Sequence, residues 1–295
     1  MCLLNYFELL SMIWLWKFLY KLTKLLRKFP NLPTPPTIIS ADGIYLTLST
    51  NQKLLDFTSG WTSFSVLGSN DNDVKNAMLK QLALYPHIDG NIWTNPLLED
   101  VAETILREAP VGLDKVYLSG ANGSDAIESA MKLSYHVHFD SGYKNKSKYI
   151  YREQSFSGST LQALSVSDIP IFDFYNPIKP DGFIKIAEHN YLYHHFPDET
   201  QDEYVARSGR ELEDTIIHHG PDTITAFVGE TIMGSLRGEV LPSPGYWKEI
   251  RRICDKYNIH LILDEIYCGM GRSGKVYCCD YDNISPDFIC VGKGL

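Results

Sequence analysis

Apolar positions recur along this chain with two periods, and the two alternate. Short apolar runs read as buried strands at Lys115–Leu118, Lys148–Glu153, Thr223–Gly229, Ile259–Leu263 and Asp287–Val291. Between them lie stretches with helical spacing: Ala126–His138, Glu203–His219, and a segment that starts after Pro242–Trp247 and runs to Tyr257. Upstream, Asp73–Leu84 places Val74, Ala77, Met78 and Leu82 on one helical face, and a second helix over Pro96–Ala109 is stopped by Pro110. Tyr45–Leu48 and Lys53–Phe57 read as a small hairpin. Ser167–Gln201, punctuated by Pro170, Pro177, Pro180 and Pro197, reads as a long surface excursion, with His189, His194 and His195 as solvated loop residues. Strand and helix alternation of this kind predicts an α/β fold with a mostly parallel central sheet and flanking helices.

The first 28 residues break the pattern. Met1–Tyr20 is rich in Leu, Trp, Phe and Tyr, and Lys17, Lys21, Lys24, Arg27 and Lys28 follow. Glu8 and Lys17 interrupt the apolar run well short of the roughly 20 residues a spanning helix needs. The positive charge follows the apolar run, the reverse of a signal peptide. Two readings stay open: an amphipathic helix touching a membrane or a partner, the less favoured, and a non-native extension. Pro30, Pro33, Pro35 and Pro36 then form a stiff linker. The expected organisation is an atypical extension over 1–36, an N-terminal segment over 37–110 and a large ligand-binding domain over 111–295.

A length of 295 residues is enough for a large core, and a net charge of −9 with no basic face argues against a nucleic-acid partner. The six cysteines (Cys2, Cys254, Cys268, Cys278, Cys279 and Cys290) show no C-x-x-C pair and no histidine grouping. No metal-binding motif is therefore expected, nor a disulfide framework, and the usage fits a reducing cytoplasm.

The candidate chemistry concentrates near the C-terminus. The run Ile259–Leu263 ends on Asp264-Glu265, a glycine-punctuated loop follows from Cys268 to Lys275, and the next strand delivers Gly292-Lys293-Gly294. An acid ending one strand and a lysine following the next suits a lysine-linked pyridine cofactor: the amine forms the covalent link and the carboxylate pairs with the pyridinium nitrogen. A phosphate-loop ATPase is the competing reading, because Gly269–Lys275 almost spells G-x-x-x-x-G-K. It fails because Val276 stands where Ser or Thr must ligate magnesium, and because the loop follows the acidic strand. Further upstream, Ser119–Asp125 joins a strand to a helix, and Gly123-Ser124 opening that helix is a sound phosphate site: free N–H groups, the positive end of the helix dipole and a hydroxyl donor converge there.

These stretches together resemble a class III (omega-type) pyridoxal-phosphate-dependent aminotransferase. Asn122-Gly123-Ser124-Asp125-Ala126-Ile127-Glu128-Ser129-Ala130-Met131-Lys132 follows the family's S-G-S-E-A-x-E-x-A-x-K stretch. Phe156-Ser157-Gly158-Ser159-Thr160 is similar to the family's Tyr-His-Gly-x-Thr, with serine in the histidine's place. Glu230-Thr231-Ile232-Met233-Gly234 is similar to Glu-Pro-x-x-G. The resemblance covers roughly Ile38–Leu295 and implies the large domain of a fold type I transferase, working as a homodimer. It implies that pyridoxal 5'-phosphate lies with its phosphate at Gly123 and Ser124 and its ring between Phe156 and Ile266. Its nitrogen would pair with Asp264, its aldehyde carbon would be linked to Lys293 as an aldimine, and Ser157 and Glu230 would lie around it. Trp61 is the candidate for the substrate pocket. The implied reaction moves an amino group from an amino acid or amine to a keto acid, with Lys293 and Asp264 as the catalytic pair. A racemase or decarboxylase on the same fold, or an inactive fold kept for binding, are the alternatives. Family members continue well past the Lys293 position and carry a C-terminal small domain there, so a truncated chain is expected.

Overall fold

The computed structural model describes residues 35–58, 66–90, 92–120, 122–234 and 238–295. The N-terminal stretch of leucines and lysines, Trp61 and residues 235–237 lie outside them. No helix among the described residues is long and apolar enough to cross a membrane.

The chain divides into two compact units. The smaller holds an antiparallel meander of β1 (Ile38–Asp42), β2 (Tyr45–Leu48) and β3 (Lys53–Leu55). The expected hairpin is β2–β3, in register from Tyr45 opposite Leu55 to Thr47 opposite Lys53, and Asn51 at φ 63° turns the chain between them. Sequence reading missed β1, which pairs with β2 from Ile38 to Asp42.

The larger unit carries α1 (Asn72–Leu84), α2 (Pro96–Leu106), α3 (Gly123–Asp140), β4 (Lys148–Arg152), the short α4 (Leu161–Ser165) and β5 (Phe183–Ile186). It continues with α5 (Tyr191–His194), α6 (Gln201–His219), β6 (Ile224–Glu230), α7 (Tyr246–Lys256), β7 (His260–Asp264) and β8 (Phe288–Cys290). Five strands form one all-parallel sheet in the order β5-β4-β6-β7-β8. Period-two alternation on its central strands fixes a three-layer core. Phe227, Leu261 and Leu263 point to the face covered by α6 and α7, against Leu212, Ile216, Trp247, Ile250 and Ile253. Ala226, Val228 and Ile262 point to the other face, against Ile127 and Met131 of α3.

Helix ends are set locally. Thr200 and Glu203 form a reciprocal capping box at the start of α6, and Gly220 at φ 85° ends it. At α7 the residue before the helix is Gly245, so the missing cap comes from a distance: the Asp282 carboxylate accepts the N–H groups of Gly245 and Trp247, both at 2.9 Å.

Two expectations about the sheet are corrected. Lys115–Leu118 is not a strand: the segment makes no ladder, and Tyr117 and Leu118 are exposed. It lines the same cleft as the β8 edge without bonding to it, so its strand-like alternation has no partner to realise it. The fifth strand is instead β5, inside the stretch read as a surface excursion. His189 in that stretch is not solvated: it is 2% exposed, its Nδ1 lies 3.0 Å from the Ser208 hydroxyl, and its ring stacks on Tyr246.

From β4 the chain steps outward to β5, then crosses back to place β6 on β4's other side. That reversal is a topological switch point, and in open α/β sheets ligands bind just outside the carboxyl ends of the strands there.

Candidate active site

A cleft of about 1130 Å³ opens at the carboxyl ends of the strands. Gly123, Ser124, Phe156, Ser157, Glu230, Asp264, Ile266 and Lys293 all line it. The fold thus gathers every expected site residue except Trp61, which lies outside the described residues.

Asp264 ends β7 and is 4% exposed. Burial pushes its carboxyl above the ordinary carboxylate value, opposed by the Ile266 N–H, the Ser157 hydroxyl and the charge of Lys293. The Ile266 N–H reaches Asp264 Oδ1 at 3.1 Å. Ser157 lines the cleft in place of the family's histidine, and its own N–H donates to Ser167 Oγ at 2.9 Å. Lys293 follows β8 with φ 49°, a left-handed conformation that side chains other than glycine, Asn and Asp seldom adopt and that tends to mark functional positions. Its ammonium stands 5.4 Å from the centre of the Tyr267 ring.

Glu230 ends β6, 4% exposed. Burial, with Asp264 nearby, pushes its carboxyl up to about 7, against the pull of two backbone N–H groups and Arg152. Those N–H groups come from Phe156 (2.8 Å to Oε1) and Gly234 (3.2 Å to Oε2). The acid thus fixes the loop that presents Phe156. Beneath it, Arg152 ends β4, 1% exposed, donating to the Glu230 carbonyl and lying 5.0 Å over the Trp247 ring.

The start of α3 completes the cleft. Ser124 Oγ accepts the Ser159 N–H at 3.0 Å. Asn122 caps the helix, its Oδ1 accepting the N–H groups of Ser124 (2.9 Å) and Asp125 (3.3 Å). Close approach requires glycine at position 158 and crowds position 123. A Cβ on Gly123 would sit 2.7 Å from Ile266 Cδ1, and one on Gly158 (φ 140°) would sit 2.5 Å from Ser124 Oγ.

Sequence reading missed Asn122 as a competitor for the anion site, Tyr267 facing Lys293, and Arg152 under Glu230. Tyr267 had a signal, since it directly follows Ile266 on the turn after β7. Arg152 had none, because only the fold shows that this charge is buried.

Comparison with known proteins places the cleft in context. The model of the family described as aminotransferase class-III matches residues 30–295. An uncharacterized aminotransferase of Schizosaccharomyces pombe is 34% identical over 265 residues, covering 88% of this chain and 57% of the relative. A taurine–pyruvate aminotransferase of Rhodobacter capsulatus is 34% identical over 262 residues, covering 88% and 55%. Among solved structures, a thermostable omega transaminase four-fold mutant from Pseudomonas jessenii superposes with a TM-score of 0.85 at 26% identity, over 93% of this chain and 61% of that one. The omega transaminase of Pseudomonas jessenii in complex with PMP superposes with a TM-score of 0.79 at 28% identity, over 86% and 56%. The chain spans a little over half the length of the curated relatives it matches. A family match that runs unbroken from residue 30 to residue 295, on a fold that superposes on solved transaminases, has one consequence: this chain belongs to the class III aminotransferase family.

Proposed function

We propose that the cleft binds pyridoxal 5'-phosphate and serves amino transfer from an amino acid or amine to a keto acid, with Lys293 as the reacting group. The observation that carries the reading is the placement of Asp264 and Lys293 at the ends of adjacent strands in one cleft, close enough for the lysine charge to act on the buried acid. The residues present fit the cofactor. Asp264 offers a buried carboxylate for a protonated ring nitrogen, Phe156 and Ile266 offer apolar faces, and Ser124 offers a hydroxyl. Gly123 lets the start of the helix pack directly against Ile266, on the side offered to the ring.

When bound, the cofactor supplies a sink for the electron pair left on the substrate carbon as its proton departs. The chain does the rest. Lys293 Nζ would hold the cofactor through its aldehyde carbon, and its free amine would take a proton from the substrate carbon and return it as an acid. Asp264 would hold positive charge on the ring nitrogen, the Ile266 N–H orienting its carboxylate. Glu230 keeps Phe156 in place through its backbone.

The wider calls belong to the same reading. The exposed apolar positions Val74, Met78, Leu79 and Leu82 of α1, none of whose residues is buried, support a second copy covering this helix, hence a homodimer. A reducing cytoplasmic setting accords with the five described cysteines being free thiols. The test is amino-donor-dependent conversion of a keto acid, by the wild-type chain and by Lys293→Ala. A fall of at least roughly 10²-fold in the variant is expected. Equal rates would refute the role of Lys293.

A further inference from the structure

The loop after Asp264 carries a cluster of soft ligand atoms for which amino transfer has no use. Cys268 and Cys278 stand ten residues apart on one loop, in no metal-binding motif, and the loop closes on itself: Met270 N–H donates to the Val276 carbonyl at 2.7 Å, and Gly271 N–H to the Lys275 carbonyl at 3.1 Å. Met270 and Gly271, at φ 55° and 88°, make the reversal. A sulfur from each cysteine and a carboxylate oxygen of Glu265 consequently lie within 4.8 Å of one another. All three residues are 3% exposed or less. The Ser273 hydroxyl, 2.8 Å from Cys278 Sγ, brings a fourth donor.

The Glu265 carboxylate is aimed and incompletely used. Its Oε1 accepts the Thr231 hydroxyl (3.0 Å) and the Cys279 N–H (2.9 Å), while Oε2 accepts the Cys278 N–H alone (2.7 Å). A carboxylate offers about four lone-pair sites, so Oε2 keeps one. The plain alternative is that the cysteines are small apolar fillers. They do pack with Ile232, but apolar filling does not account for a carboxylate and a hydroxyl beside the same two sulfurs. Without an ion, the Cys278 thiol donates to the Cys268 carbonyl at 3.0 Å, and the hydrogen bond with Cys278, together with burial, holds the Cys268 thiol protonated.

We propose that Glu265, Cys268 and Cys278 bind one thiophilic divalent d10 cation of the zinc type, with the Ser273 hydroxyl or a water as fourth donor. Two thiols release their protons to solvent and two sulfur–metal bonds form; the dication meets two thiolates and one carboxylate, and no electron is transferred. With metal–sulfur bonds of about 2.3 Å, tetrahedral ligation sets the sulfurs about 3.8 Å apart, inside the 4.8 Å that bounds the present separations. The bound ion pins the glycine loop to the end of β7, next to Asp264.

The experiment is titration of the reduced, metal-stripped chain with cadmium, followed by thiolate charge-transfer absorption and by metal content after desalting. The expected result is one ion per chain, a raised melting temperature, and affinity at least about tenfold weaker in Cys268→Ser and in Cys278→Ser but unchanged in Cys254→Ser. If the serine variants fail to fold, alkylation of wild type in sub-denaturing urea gives the answer, with Cys268 and Cys278 as the cysteines that cadmium protects. Absence of charge-transfer absorption, protection elsewhere, or a disulfide between the two sulfurs that takes up no ion after reduction would overturn the proposal. None of these readings requires the pyridine cofactor.

Discussion

Replacing Glu230 by glutamine separates the burial of a charge from the positioning of a loop. In wild type the Glu230 carboxyl is raised from 4.5 to about 7, first by burial and then by Asp264. A raised acid binds its proton more tightly in the folded than in the unfolded chain, so its contribution to stability is fully present below about pH 4.5. That contribution is lost as pH climbs through about 7. The gap corresponds to about 3 kcal/mol. Glutamine has no such proton, so Glu230→Gln should lack that part of the slope. It also leaves an amide NH₂ facing the N–H of either Phe156 or Gly234, which wild type satisfies with one carboxylate oxygen each. Leaving one N–H unsatisfied costs about 1–3 kcal/mol. The variant should therefore be clearly less stable near pH 4.5, and by pH 8, where wild type has lost about 3 kcal/mol, the difference should close or reverse in the variant's favour. Urea unfolding of both, at pH steps from 4.5 to 8, measures this. Because Glu265 and Asp264 are also raised, the difference between the two chains is the informative quantity. A difference that does not change with pH would refute the reasoning.

Three other perturbations follow from the same geometry. Asn122→Ala removes the side chain that occupies the Ser124 and Asp125 N–H groups; it should destabilise the ligand-free chain by about 1 kcal/mol and tighten pyridoxal phosphate roughly fivefold while leaving pyridoxal unaffected, as read by fluorescence titration. Gly158→Ala combines φ 140° with a Cβ 2.5 Å from Ser124 Oγ and 2.7 Å from Ala163 Cβ; a loss of about 1–3 kcal/mol in urea unfolding is expected. Ile262→Ala empties a fully buried position between β7 and α3 and should cost about 2–5 kcal/mol, visible as a lower urea midpoint at unchanged slope.

What the sequence disclosed, and what it withheld, follows the range of the forces involved. Long periodic elements such as α3 and α6, and the buried runs that became β6 and β7, declare themselves through local patterning. So did Asp264, Gly123 and Lys293, because each sits at a strand or helix end that motifs mark. β5 stayed hidden because Phe183–Ile186 follows Pro177, Pro180 and Gly182, breakers that read as loop, and only the β4 ladder makes it a strand. Lys115–Leu118 failed the opposite way, with a strand-like pattern and no neighbour. His189 was illegible because its partners, Ser208 and Ser243, reach it only through tertiary packing, and the Cys268–Cys278 cluster because the closure of the glycine loop, rather than a motif spacing, brings the two sulfurs to Glu265.

The central claim is that Lys293 is the group that takes the cofactor. Its most direct test is incubation of the purified chain with pyridoxal phosphate, reduction with borohydride, and peptide mass mapping. The account predicts a single phosphopyridoxyl adduct on the peptide containing Lys293, absent from Lys293→Ala and weakened in Asp264→Asn. Labelling spread over surface lysines, and unchanged in Lys293→Ala, would contradict it.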